Sequence, residues 1–336
     1  MEALEALPAI TRLSKTVTRI LGQNPGKFQL QGTNTYLVGE RNPYVLIDTG
    51  EGKEEYIPYL KQALLESPNH DVKQPYVSDI ILTHRHHDHT NGLPSVLALL
   101  RRLWDAEHLS PTPSYRPPRI HKIPLPSPDA RLQSVIDSLE TGSFLPDSSG
   151  APVHNLADGD TLPVVAGPEG QTSSLQVIHT PGHTPDSLCI YYPEDRALFT
   201  GDTVLGHGTT VFEDLRTYMA SLRKMIDFAK GADGTQKYNT VYPGHGPVAA
   251  EGLAKVSMYL RHREEREAQI VNVLRLPSPA GADGAWTTEA LVENIYAKYP
   301  RELWGPAAHS VELHLKKLEA DGKVDKTDQG WVLLNH

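Results

Sequence analysis

Residues 83–89 read THRHHDH and follow directly on the apolar run VSDIIL. Within them His84, His86, Asp88 and His89 fall in the spacing HxHxDH. A chain leaving a strand turns alternate side chains to one side, so His84 and His86 can grip one cation while Asp88 and His89 reach an adjacent one. Borderline nitrogen and hard oxygen donors packed so closely suit zinc, with manganese or iron as alternatives. A fold for this chain must hold that strand end where further ligands can meet it.

Three more residues supply those ligands. His183 in HTPGHT, Asp202 in FTGD and His245 in YPGHG each follow an apolar, strand-like run. With HxHxDH they make two overlapping sets: His84, His86 and His183 for one metal, Asp88, His89 and His245 for the other, with Asp202 able to bridge. Three other histidines are left out. His87 is out of phase with the ligands, His179 precedes Pro181 and serves the turn, and His207 in LGHGTTVFEDL is a surface residue with substrate contact as its alternative role. The chain has 16 His and 1 Cys, which excludes both a disulfide framework and a thiolate zinc site. Cys189, in SLCIYY, is expected to be a buried, inert thiol.

Around these motifs the pattern is α/β. TVTRILG, NTYLVG, YVLIDTG, VSDIILTH, LQVIHT, SLCIYY, RALFTGD and NTVYPGHG read as strands. KEEYIPYLKQALLES, GLPSVLALLRRLWDAEH and LRTYMASLRKMIDFAK carry helical spacing. The proline-dense segment 110–128 reads as an inserted loop, either bordering the active-site entrance or forming a plain linker. Beyond Glu251 a long helix, a break at LPSPAGADGAW, two helices and a hairpin candidate outline a small winged-helix-like module. The expected division is a catalytic domain over 1–250 and a helical linker plus module over 251–336. No window approaches the roughly 18 apolar residues of a membrane span, and MEALEALPAITRL lacks a signal-peptide pattern, so the expected location is cytoplasmic with no membrane partner.

HxHxDH, GHT, GD and GHG, in this order over roughly Val17 to Val248, resemble the metallo-β-lactamase superfamily. The resemblance implies an αββα sandwich with a dinuclear site, two Zn2+ per chain, at one edge of its two sheets. One departure is that Thr90, Asn91 and Gly92 follow the histidines where members often carry Gly-Gly; this touches the turn into the helix and no ligand. Longer strings, LGQNPGKFQLQGTNTYLVG, LIDTGEG and GDTVLGHGTTVFEDLRTYMASL, resemble a subfamily of fungal polyketide-pathway thioesterases and of β-lactamase-like endoribonucleases. The segment YRPPRIHKIPLP is more similar to the thioesterase branch.

Two adjacent cations lower the pKa of a shared water and stabilise an oxyanion, and Asp88 can orient that water and handle its proton, so a hydrolase follows. The leading expectation is release of a polyketide from an acyl carrier protein. The second is cleavage of single-stranded RNA, and the third a scaffold without turnover. From Ala285 to His336, six basic residues face eight acidic ones, a net −2. A nucleic-acid-binding winged helix presents a basic face, so this module is read as an interaction or homodimer element. Arg101, Arg102, Arg116, Arg119 and Lys122 lie near one another in sequence and can draw an acidic carrier protein, an RNA backbone, or only solvent.

Overall fold

A computed structural model describes residues 4–66, 70–108, 114–167, 170–231, 234–279 and 284–334. The chain first lays down β1 (Ile10–Arg12), β2 (Val17–Leu21), β3 (Asn34–Val38) and β4 (Tyr44–Ile47) as an antiparallel meander. After α1 (Tyr56–Leu65) the connections become parallel crossovers: β5 (Val77–Ile81), α2 (His87–Thr90) and α3 (Leu93–Glu107), β6 (Arg119–Lys122), α4 (Ala130–Asp137) and β7 (Val153–Asn155). These seven strands form one sheet in sequence order. The second sheet has the order β12-β11-β10-β9-β8. It contains β8 (Thr161–Val165), β9 (Thr172–His179), β10 (Leu188–Tyr192) and β11 (Ala197–Gly201); β12 (Thr240–Pro243), reached through α5 (Leu215–Phe228), pairs parallel with β11.

The inner strands of both sheets are covered on both faces, so β4 and β11 are buried throughout, whereas edge strand β8 alternates exposed and buried positions. In β4, Val45 and Ile47 join Leu175, Val177, Ile190 and Phe199 between the sheets, while Tyr44 and Leu46 pack under α1 and α3. On the far side Ile178, Cys189 and Leu198 meet α5 and the start of α6 (Gly252–Leu274). The layers are therefore α, β, β, α. The end of α6 packs with α7 (Thr288–Ile295), α8 (Trp304–Ala320), β13 (Val324–Thr327) and β14 (Gly330–Leu333) around Trp286, Val311, Leu315 and Trp331, giving a winged-helix module with its own core.

The proline-dense segment differs from expectation. Residues 110–113 lie outside the described residues, as do 280–283 of the break after α6. From residue 114 onward the segment is not an insertion, because Arg119–Lys122 form β6 in the middle of the parallel half of the first sheet. The prolines flank RIHK without entering it, so every ladder N–H is present. Ile120 is fully buried, and Asp129 caps α4 by accepting from the backbone N–H of Arg131 and Leu132.

Gly92 answers the departure seen in the histidine motif. A Cβ there would lie 1.9 Å from the Thr49 carbonyl oxygen, where the turn into α3 presses on the loop after β4. Thr90 and Asn91 already carry side chains in the two preceding positions, so of the three it is position 92 that must stay glycine. Gly92→Ala is expected to destabilise the protein by about 1–3 kcal/mol, the range for overpacking a rigid contact. Urea unfolding with an unchanged midpoint would show that the loop yields instead.

Candidate metal centre

Each sheet contains parallel strands whose C-terminal ends point the same way, β4 with β5 and β11 with β12. Asp48 follows β4, His84 follows β5, Asp202 follows β11 and His245 follows β12. The turn between β9 and β10 brings His183, and α2 brings Asp88 and His89. Five separate pieces of chain thus meet at one edge of the sandwich, and all seven residues singled out in the sequence lie there.

They meet as two sets of donor atoms. His84 Nε2 lies 3.1 Å from His86 Nδ1, and His183 Nε2 lies 3.3 Å from the first and 3.0 Å from the second. In the other set His245 Nε2 is 3.4 Å from His89 Nε2 and 3.2 Å from Asp88 Oδ2. Asp202 stands between them: Oδ2 is 3.7 Å from His183 Nε2 and 3.2 Å from His245 Nε2, and Oδ1 is 3.4 Å from His89 Nε2.

The outward nitrogens decide what these contacts mean. Thr83 Oγ1 donates to Asp48 at 2.8 Å, so it accepts from His84 Nδ1–H at 3.0 Å. His89 Nδ1–H donates to Asp48 Oδ2 at 2.7 Å, His183 Nδ1–H to the Val211 carbonyl at 2.7 Å, and His245 Nδ1–H to the Gly32 carbonyl at 3.3 Å. Each bond fixes a tautomer and turns the Nε2 lone pair inward, the arrangement that holds metal-ligating histidines in place. Among His84, His86 and His183, lone pairs 3.0–3.3 Å apart repel one another, and Asp202 Oδ1 is buried with no hydrogen bond. Divalent cations satisfy all of these atoms, so the residues present fit two metal ions.

Electrostatics agree. Burial pushes His84 well below the ordinary histidine range, with His89 adding to the effect, and takes His86 down to about 4. Burial opposes charge on His89 and His245 too, but Asp202, Asp48 and Asp88 outweigh it at His89, and Asp202 with Asp88 lifts His245 to about 9. Asp88 and Asp202 are held below the usual carboxylate range by His89 and His245, although burial opposes their ionisation. At His89 and His245, therefore, the neighbouring carboxylates favour the protonated form over the neutral one.

Asp48 was not singled out in the sequence. It accepts from Thr83 N, Thr83 Oγ1 and His89, in a left-handed backbone conformation with φ 59°. Asp and Asn tolerate that region better than most residues. The signal was available, since LIDTG is an apolar strand ending in a polar residue, the same feature that marked His183 and Asp202. Val211 acts through its carbonyl and leaves no side-chain signal.

His87 stays outside the donor sets, 3.8 Å from Glu51, and His207 is exposed. The ring Nε2 of His179 meets the Pro185 carbonyl at 2.9 Å and so braces the turn carrying His183. Cys189 is buried, its thiol pushed up to about 12 by burial. The basic group disperses. Arg101 pairs with Asp105, Arg116 with the Lys73 carbonyl and Gln74, Arg119 with Asp79, and Lys122 with buried Asp186. Arg85, inside the motif, pairs with Asp129 and Glu213.

Comparison with known proteins gives the same fold. Residues 29–245 match the family model of the metallo-beta-lactamase superfamily, and residues 287–331 that of the beta-lactamase associated winged helix domain. A Caenorhabditis elegans protein named beta-lactamase-like protein 2 homolog is 36% identical over 326 residues, 97% of this chain and 91% of its own. An Aspergillus chevalieri protein named atrochrysone carboxyl ACP thioesterase is 34% identical over 331 residues, 98% of this chain and 89% of its own. The crystal structure of a beta-lactamase domain protein from Burkholderia ambifaria shares the fold at TM-score 0.64 and 17% identity, covering 98% of this chain and 96% of that one.

Asp48→Asn removes the carboxylate behind His89 while keeping its shape, and is expected to weaken metal binding by about 10–100-fold. Competition against a chromophoric chelator measures this, and wild-type affinity would reject the role. The pH dependence follows from His245. Its folded-state pKa lies above the ordinary 6.5, so its contribution to the metal-free fold is complete below that value and lost as pH rises through about 9. A cation must displace that proton, so apparent affinity is expected to rise with pH up to about 9. Calorimetry in two buffers at neutral pH should detect proton release on metal uptake; no release would contradict the assignment.

Proposed function

We propose that this chain, which belongs to the metallo-beta-lactamase superfamily and is a hydrolase, cleaves the thioester that joins a polyketide acyl group to an acyl carrier protein. In this reading His84, His86 and His183 hold one divalent cation, Asp88, His89 and His245 hold a second, Asp202 reaches both, and zinc is the expected metal. The observation that carries the hydrolytic part is the pair of converging donor sets with Asp202 between them. Bound there, the cations would supply Lewis acidity for water activation and for charge developing on the attacked carbonyl oxygen.

The chain's own residues do the rest. Asp88 meets Thr33 Oγ1, His89 and His245 through Oδ2, at 3.3, 3.6 and 3.2 Å. This leaves Oδ1 to accept a hydrogen bond from the attacking water and orient it. Asn24 fixes Thr33 in turn, accepting from its backbone N–H at 2.9 Å and donating to its hydroxyl at 3.0 Å. When the tetrahedral adduct collapses, the carbon–sulfur bond breaks and a thiolate leaves. A thiol with a pKa near about 8.5 departs without a strong proton donor, whereas an RNA alkoxide needs one.

Two observations support the thioester over RNA. The thioesterase-named relative is similar along nearly the whole chain, winged helix included. Of the basic residues that could form a phosphate-binding patch, Arg119 is paired with Asp79 and Lys122 with buried Asp186, and Arg101 with Asp105, which leaves Arg102 outside these pairs.

The zinc-loaded protein is expected to release free thiol from an acyl-loaded carrier protein, and Asp88→Asn to lower kcat by about 100- to 10,000-fold. Single-stranded RNA should remain uncut. RNA cleavage without thiol release would replace this reading with the endonuclease one.

A further inference from the structure

One face of α6 is turned toward residues 205–214, the segment that supplies the Val211 carbonyl to His183. Lys255, Tyr259 and Arg263 recur every four residues along that face, so they stack above one another. Lys255 Nζ donates to the Gly206 carbonyl at 3.2 Å. Tyr259 Oη accepts from Leu205 N at 3.0 Å and donates to the Gly208 carbonyl at 2.9 Å. Arg263 Nη2 donates to the Thr210 carbonyl at 3.0 Å, and its guanidinium lies 4.8 Å from the centre of the Phe212 ring. The two residues flanking Val211 are thus both held by Arg263.

Arg263 is only 5% exposed, and among the described residues no carboxylate pairs with it. Burying a guanidinium against one carbonyl, one ring face and the Tyr218 hydroxyl, with no carboxylate beside it, is costly. A plain loop tether would not need it. The next residue on the stripe, Glu267, pairs with Lys317 of α8 and with Lys323, at 3.0 Å, just before β13. One helical face therefore holds the winged-helix module at one end and the support of His183 at the other.

We propose that Arg263 is a positioning residue of the metal centre: it fixes residues 210–212 so that the Val211 carbonyl aims His183 Nε2 at the cation shared with His84 and His86, and it ties that aim to α6 and the C-terminal module. The inference rests on the ligand assignment above.

The test uses the full chain, stripped with a chelator and titrated with cobalt(II), following the visible spectrum under chelator competition. Arg263→Met is expected to weaken one of the two metal equivalents by about 10-fold or more and leave the other unchanged. Arg263→Lys, which keeps a donor for Thr210, should recover part of the loss. His183→Ala should weaken the same equivalent, and adding Arg263→Met to it should cost nothing further. If Arg263→Met does not fold, Tyr259→Phe, which removes the contact to Gly208, is read in the same way. Equal weakening of both equivalents, or of neither, overturns the proposal. A failure of the ligand assignment looks different, because His183→Ala itself would then leave both equivalents intact.

Discussion

Facing lone pairs at the sandwich edge are the constraint around which the rest of the molecule is arranged. His84, His86 and His183 present ring nitrogens to one another at 3.0–3.3 Å, and buried carboxylates stand beside them. Such a cluster opposes folding unless cations or protons occupy it. What forces it together is burial elsewhere. The apolar layers between the sheets, beneath α1 and α3, and beneath α5 and α6 fix the strand ends to which the ligands belong. The centre is thus imposed by the cores, and the repulsion left in it is what a bound cation would relieve.

That division of labour explains what could be read from the sequence. Ligands clustered in HxHxDH, or standing directly after an apolar run, are local features, and the strands that carry them have β-branched and aromatic patterns visible in isolation. The residues that aim the ligands are not local. Asp48 reaches His89 across 41 positions, and the Val211 carbonyl reaches His183 across 28. Asp48 leaves only the trace of a polar residue ending an apolar strand, and the Val211 carbonyl leaves none. The misreading of residues 110–128 has the opposite cause. Proline density there is real, but four residues without proline suffice for a central parallel strand, and a window that averages over them hides RIHK.

Charge tells a similar story. The net −9 of the chain gives no hint that Arg101, Arg116 and Arg119 are each committed to a partner of their own. Arg85 sits between two ligands yet turns outward, joining Asp129 at the cap of α4 to Glu213 ahead of α5. It therefore straps the first sheet's flank to the second across the mouth of the centre. A cation in that position is shielded by its two carboxylates and offers little to a phosphate backbone.

The glycines of the motifs carry as much of the constraint as the ligands do. A Cβ on Gly244 would lie 2.3 Å from Asp202 Oδ1 and 2.9 Å from the Gly201 carbonyl carbon, so the turn after β12 can close over Asp202 only without a side chain at that point. The Gly244 N–H donates to the Gly201 carbonyl at 2.7 Å, and its own carbonyl accepts from Asn34 N at 2.7 Å, which stitches the two sheets together one residue before His245. Asn34 Nδ2 adds bonds of 2.9 Å to the carbonyls of Pro243 and Gly246, on either side of that histidine. The first sheet therefore sets the position of a candidate ligand that belongs to the second. GD and GHG are accordingly two halves of one packed contact, and a change in either glycine would move a carboxylate that both donor sets share.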